Sequence, residues 1–367
     1  MTASERPDKR VADGAARSSA MPDWWIYKGS GRPLRDGLRL EDLLPDPPEW
    51  RRFGGEPFAD DDIPPDDGES RRRLGARPVM PETVIDHDEV AMVNAALYLR
   101  RPLLVKGPPG AGKSTLAHLV ATELKLGRVI CWHITSTSTL KAGLYSFDTI
   151  GRAAAVAARQ TAARLHSTEM PETDENIGDY VHLGPLGTAF LPSRRPRVLL
   201  IDEIDKSELD LPNDLLGIFE SGSYTVPELE RVAAATPDVS VFVDDPKRRV
   251  TISGGRVECH AFPFIVMTSN GERDFPPAFM RRCLQIEIKP PSVEKLAAMV
   301  AAHLKNEADA PWSELIQDFA ARSGPAGEIP ADRLLDALFL STSGAYRPDA
   351  ASWPRLRDAL WRELRSV

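Results

Sequence analysis

Between residues 107 and 114 the chain reads Gly-Pro-Pro-Gly-Ala-Gly-Lys-Ser, and this octet restricts the fold more than any other stretch. It fits the spacing G-x-x-x-x-G-K-[ST]. Glycines at those positions let the backbone wrap around a phosphate with its N–H groups pointing inward, and a helix that follows presents its positive end to the same anion. The device works only between a strand and a helix. Residues 102–106 are a short apolar run, and residues 115–126 carry Leu116, Leu119, Val120 and Leu124 on one helical face. Gly107, Pro108, Pro109, Gly110, Ala111 and Gly112 are the expected cradle. Lys113 is expected to reach β- and γ-phosphates, and Ser114 to offer its hydroxyl to Mg²⁺.

A second strand supplies acids. Residues 197–201 (RVLLI) form a continuous apolar run of the kind buried on both faces, and Asp202-Glu203 follows at the end where parallel sheets bind ligands. Asp202 suits holding Mg²⁺ through water, and Glu203 suits orienting and deprotonating an attacking water. The guanine-reading pattern N-K-x-D has no good counterpart here, which favours ATP. Residues 264–268 (FIVMT) are another buried strand, followed by Asn270. Asn270 would lie near a γ-phosphate, although Ser-Asn-Gly is also good turn chemistry. Arg281 and Arg282 precede the last strand, residues 283–288. They read either as a solvated face or as an arginine finger offered to a neighbour's ATP.

Strands expected at 128–135 and helices at 83–100, 152–165 and 208–221 fill the intervals, with one or two β-hairpins in 239–262. After Pro290-Pro291 the pattern is helical in four pieces: 292–304, 311–322, 330–342 and 352–365. Apolar strands alternating with helices define an α/β fold with a mostly parallel sheet covered on both faces. The expected organisation is an irregular segment 1–80, an α/β core 81–289 and a helical domain 290–367. Residues 1–80 are rich in Pro, Gly, Asp and Arg, so disorder or an extended strap is expected there. Trp24-Trp25-Ile26-Tyr27 breaks that pattern, either tucking onto the core or docking a partner. Arg71-Arg72-Arg73 and Lys247-Arg248-Arg249 read as solvated or turn positions, and the 7 His show no ligand spacing.

The chain has 367 residues with Lys+Arg 46 against Asp+Glu 54, a formal net charge of −8. That argues against bulk charge holding nucleic acid. No run approaches the 18 apolar residues of a membrane span, and residues 1–14 have no apolar core of a secretory signal. The 3 Cys stand far apart, which argues against a disulfide framework or zinc site. A reducing cytoplasm is the expected address.

GPPGAGKST, LLIDEIDKSE, IVMTSNGERDFPPAF and MRRCLQIEI together resemble the AAA+ ATPases, most closely the MoxR branch, over about residues 81–367. LYSFDTIGR, GPLGTAF and residues 226–262 resemble that branch's inserts, which tend to face a ring pore or an adaptor. The resemblance implies a P-loop NTPase αβα sandwich with a five-stranded parallel sheet and a small helical lid. It implies ATP and Mg²⁺ as ligands, with residues 107–115, through Thr115, at the nucleotide. It also implies a ring, usually hexameric, with Arg281 or Arg282 acting on the next subunit's ATP. The lid arginine of the family falls at Arg333, without the usual S-P-R-A pattern, and Arg347 is a competitor. The WWIY leader resembles MoxR-type ATPases of bacterial conflict systems that act with von Willebrand A-domain partners. A remodelling ATPase acting on a protein client is the leading expectation. A nucleotide-operated switch in a defence system, or a nucleic-acid-restriction motor, is the alternative.

Overall fold

The computed structural model describes residues 21–59, 64–76, 78–166, 176–303, 312–323, 329–342 and 352–361. Its main sheet has five strands: β1 Leu103–Lys106, β2 Ile130–His133, β3 Val198–Asp202, β4 Phe264–Ser269 and β5 Leu284–Glu287. Their order is β5-β1-β4-β3-β2, and every pairing is parallel. Parallel neighbours need crossovers, and the crossover helices cover both faces. The side-chain alternation divides each strand between two cores. Leu103, Val105, Leu200 and Val266 pack on one face with helices α1 His87–Leu99 and α2 Lys113–Glu123. Leu104, Leu199, Ile201 and Met267 pack on the other with α3 Leu211–Ser221. The expected αβα sandwich is what the chain forms.

Three strands beyond the sequence reading belong to insertions. Tyr145–Phe147 and Val181–Leu183 join the hairpin Asp238–Phe242/Arg249–Ser253 in a second, four-stranded sheet. Arg256–Glu258 does not extend that hairpin, as the reading of 239–262 allowed, but pairs with Ser223–Thr225. The hairpin turn places Lys247 at φ +58°. Its neighbours are paired rather than merely solvated: Arg248 contacts Asp245 at 3.3 Å, and Arg249 contacts Asp179 at 2.7 Å. Arg72 and Arg73 likewise both pair with Glu69.

The described part of residues 1–80 is a packed strap, the second of the two alternatives the composition left open. Tyr27 is fully buried and Trp25 nearly so, while Trp24 stays half exposed. Of the two readings of this aromatic segment, the one that tucks it onto the core holds. Two buried side chains fasten it. Asn94 accepts from the Ile26 and Tyr27 amides at 2.8 and 3.1 Å and donates to the Tyr27 and Val90 carbonyls at 2.7 and 2.8 Å. Glu123 accepts from the Lys28 amide at 2.5 Å and the Gly31 amide at 2.8 Å. Gly31 sits at φ +67°, and a Cβ there would lie 1.6 Å from the Pro78 carbonyl, so the close approach requires glycine. The strap crosses to the other core, where Phe53 stacks on Phe262 at 5.4 Å. It returns as the helix Glu69–Leu74 against α2.

In that last contact His118 is 1% exposed, its Nδ1 lies 3.0 Å from Ser70 Oγ, and its Nε2 has no partner. Burial pushes its pKa down to about 4, helped by Arg73 and opposed by Glu69, Asp66 and Asp67. The unfolded chain takes up this proton near the ordinary value of about 6.5, and the folded chain does not until about 4. His118 therefore contributes stability above that ordinary value, and the contribution falls through this window as pH drops. The expected loss is up to about 3 kcal/mol. Thermal unfolding at pH 7 and pH 4.5, compared between wild type and His118→Asn, checks it: the asparagine protein should show the shallower acid dependence.

After β5 four helices follow: α4 Val293–His303, α5 Trp312–Ser323, α6 Asp332–Thr342 and α7 Ser352–Leu360. They enclose a separate small core of Leu296, Val300, Phe319, Leu334, Leu338 and Trp361. Arg347 lies outside the described residues. Among the described residues no helix is long and apolar enough to cross a membrane.

Candidate functional site

The C-terminal ends of β1, β3 and β4, the three inner strands, deliver the candidate residues to one end of the sheet. Residues 107–112 leave β1 and enter α2 through three glycines with positive φ: Gly107 at 153°, Gly110 at 75° and Gly112 at 91°. A Cβ on Gly107 would meet the Ile288 carbonyl at 2.4 Å, and one on Gly110 would meet Pro330 Cα at 2.5 Å. Glycine is therefore required by conformation and by space, and the second contact brings the start of the α6 segment against the loop. Arg333, exposed on the first turn of α6, stands three residues from that contact.

Lys113 is 7% exposed, and its Nζ donates to the Gly107 and Pro108 carbonyls at 2.8 Å each and to Asn270 Oδ1 at 2.7 Å. Burial lowers its pKa, and Asp205, Asp202 and Glu203 oppose the shift. The loop, the lysine and the strand-tip asparagine, 157 positions apart in sequence, thus converge on one point. Ser114 Oγ donates to Asp202 Oδ1 at 2.6 Å, and Thr268 Oγ1 donates to the same oxygen at 2.7 Å. Ser114 and Thr268 thus converge on one carboxylate oxygen of Asp202. His133, paired with Asp202 across β2 and β3, approaches Asp202 Oδ2 at 3.6 Å and is largely exposed.

Glu203 adopts φ +61°, a left-handed conformation costly for a residue with a Cβ. Its amide donates to Thr268 Oγ1 at 2.8 Å, which holds the turn. Strain of this type is retained where a side chain must be aimed. The carboxylate is partly exposed and pairs with Lys206 at 2.6 Å.

Asp205 and Thr268 are functional-site residues that the sequence reading did not single out. Asp205 is 5% exposed, and its Oδ2 accepts from the Asn270 amide at 2.8 Å and the Glu272 amide at 3.3 Å. Its Oδ1 has no partner. The signal was present: Asp205 stands three residues past Asp202, on the turn that leaves the acidic strand. Asp205→Ala should release the Asn270 turn and lower ATP turnover by up to ~100-fold, because small misplacements of reacting groups cost rate. Nucleotide affinity should change far less. Steady-state hydrolysis beside calorimetric titration separates the two effects.

Arg281 and Arg282 do not join this cluster. They precede β5, whose Leu284 pairs with Leu103 at the start of β1, so they lie at the opposite end of the strands from the loop. Arg282 is ion-paired with Glu220 at the end of α3, and Arg281 Nε donates to the Pro277 carbonyl at 3.2 Å. An apolar recess adjoins the loop on the strap side, lined by Leu74, Met80, Leu116, Leu119 and Met299, with Thr115 at its edge.

A glycine cradle opening a helix, a buried lysine inside it and a serine–aspartate pair beside it define a P-loop ATPase domain. Residues 102–283 match the family described as AAA domain (dynein-related subfamily), and with the β5-β1-β4-β3-β2 sheet they form an AAA+ ATPase domain. The chain is 38% identical over 66 residues to the Holliday junction branch migration complex subunit RuvB of Anaplasma marginale, in the Florida and St. Maries strains. That stretch is 16% of this chain, and the chain spans about a fifth of the length of these relatives (20%). Among solved structures, the Thermotoga maritima RuvB branch migration motor aligns with a TM-score of 0.36 and 16% identity, over 76% of this chain and 70% of that one. C. elegans PCH-2 aligns with a TM-score of 0.36 and 13% identity, over 83% and 74%.

Proposed function

We propose that this protein is a magnesium-dependent ATPase of the MoxR type that works as a ring, hexameric as is usual in that branch, and remodels a protein client in the cytoplasm. The observation that carries the catalytic part is the shared oxygen of Asp202, which ties Ser114 of the loop to the strand that ends in Glu203. The residues present fit Mg·ATP: three positive-φ glycines, a buried ammonium and a hydroxyl–carboxylate pair. Bound there, Mg²⁺ would neutralise phosphate charge. The loop amides and Lys113 hold the β- and γ-phosphates, with Lys113 exchanging its loop carbonyls for phosphate oxygens. The apolar recess beside Leu116 takes the base. Glu203 takes the proton of the attacking water, and Asn270 fixes that water's position. Arg333, three residues past the Pro330 contact with Gly110, reaches toward the same nucleotide.

Ring action is supported by the distance of Arg281 and Arg282 from their own loop. Arg282 exchanges Glu220 for a neighbour's γ-phosphate when subunits close, so ATP biases ring closure. The test is mixed assembly. Arg282→Ala and Glu203→Gln subunits should each be inactive alone. Mixed together they should regain turnover, because an Arg282→Ala subunit with an intact Glu203 can receive the finger of its neighbour. No recovery at any mixing ratio would refute action in trans. A von Willebrand A-domain protein is a candidate partner, on the resemblance of the WWIY leader. Slow turnover raised only by a partner would favour the defence-switch form of this reading.

The short likeness to RuvB favours a second reading, in which the ring moves on nucleic acid. Net charge −8 weighs against it. DNA binding whose affinity falls steeply with salt would establish that reading instead.

A further inference from the structure

At the end of the sheet opposite the loop, the strap and the starts of β3 and β4 enclose a cavity of about 480 Å³. β4 runs six residues from this cavity to the Asn270 turn, a separation of roughly 20 Å at strand rise. The cavity is therefore a separate place from the nucleotide site. Its size falls in the ordinary range for small-molecule sites.

Its chemistry is divided. Leu44, Pro45, Phe53, Phe262 and Pro263 give an apolar, partly aromatic lining. Four arginines, Arg51, Arg52, Arg100 and Arg194, also line it, against the carboxylates of Glu41 and Asp46 and the imidazole of His260. The lining is thus cationic by two charges in a chain whose net charge is −8.

Two of these groups carry a buried polar atom with no partner. Arg51 is 9% exposed, its Nη1 donates to the Phe219 carbonyl at 2.7 Å, and its guanidinium lies 5.0 Å from the centre of the Phe262 ring. Its Nε has no hydrogen-bond partner. Glu41 Oε2 is also buried without a partner. An unpaired buried donor and acceptor cost free energy unless something else satisfies them. Other members are pre-positioned. Arg100 Nη2 donates to the Pro45 carbonyl at 2.9 Å, which fixes the strap wall. Arg52 makes only a long, exposed contact with Asp46 at 3.8 Å, leaving its guanidinium available.

We propose that this cavity binds an organic phosphate of mononucleotide size, separate from the hydrolysed ATP. The phosphate meets Arg51 and Arg52, the flat body lies along Phe53, which Phe262 backs, and the prolines, and a hydroxyl or amino group donates to Glu41. Arginine suits this role because its planar fork pairs with phosphate oxygens while its face stacks on rings.

The test uses full-length Lys113→Ala protein, in which the loop competes only weakly. Calorimetric titration with AMP, cyclic AMP and cyclic GMP should show at least one of them binding at one site per chain. Adenosine and inorganic phosphate, each carrying half the chemistry, should bind at least about tenfold more weakly. Flat-bodied carboxylates such as nicotinate should also be at least about tenfold weaker, since they fill fewer arginine donors. Arg52→Glu changes a side chain that is 62% exposed, so folding should survive, and it should weaken the bound phosphate at least about tenfold. Ala261→Leu, which narrows the cavity without touching its charges, should do the same. No saturable binding of any of the three phosphates overturns the proposal. Binding that both variants leave unchanged, or carboxylates that bind as tightly as phosphates, also overturns it.

Discussion

Glu203→Gln is expected to bind Mg·ATP with near wild-type affinity and to hydrolyse it at least ~100-fold more slowly. The substitution keeps the size and the left-handed backbone of Glu203, whose amide stays on Thr268. It removes the ability to accept a proton, together with the charge that pairs with Lys206 at the surface. Neither Ser114 nor Lys113 depends on the Glu203 side chain for its position, since both are held by Asp202, the loop carbonyls and Asn270. Binding and turnover should therefore separate cleanly, as read by nucleotide titration and phosphate release on one preparation. Wild-type turnover in the glutamine protein would remove Glu203 from the role of base.

Lys113→Ala should weaken ATP binding by about 10- to 100-fold, the range for losing charge-assisted hydrogen bonds to phosphate. The substitution should also lower stability. Lys113 satisfies the Gly107 and Pro108 carbonyls and Asn270 Oδ1 together. Alanine leaves these acceptors to water and loosens the loop. The melting temperature should fall without nucleotide as well as fail to rise with it. Differential scanning calorimetry with and without Mg·ADP reads both.

Much of this site was legible because its parts are contiguous. The glycine spacing named the loop, and the apolar run 197–201 pointed to the acids at its end. Asp205 was harder, because its role is to hold the Asn270 turn from a separate strand, and no local pattern encodes such a partner. Asn94 and Glu123 were invisible for the same reason. Each is a polar residue inside an apolar helical stripe, and only the docked strap explains it. For residues 21–59 composition left disorder and an extended strap both open: proline and charge forbid a self-contained core, but they do not forbid lying on the core of the α/β domain. The insert strands, three to five residues long, carry too few alternations to assign a partner from pattern.

The most direct test of the central claim is equilibrium titration of the purified chain with a fluorescent ATP analogue, with and without Mg²⁺. Saturation is expected at one high-affinity analogue per Lys113 loop, tightened by Mg²⁺ in the wild type, with the magnesium effect lost in Ser114→Ala. Absence of saturable binding, or a magnesium effect indifferent to Ser114, would contradict that claim.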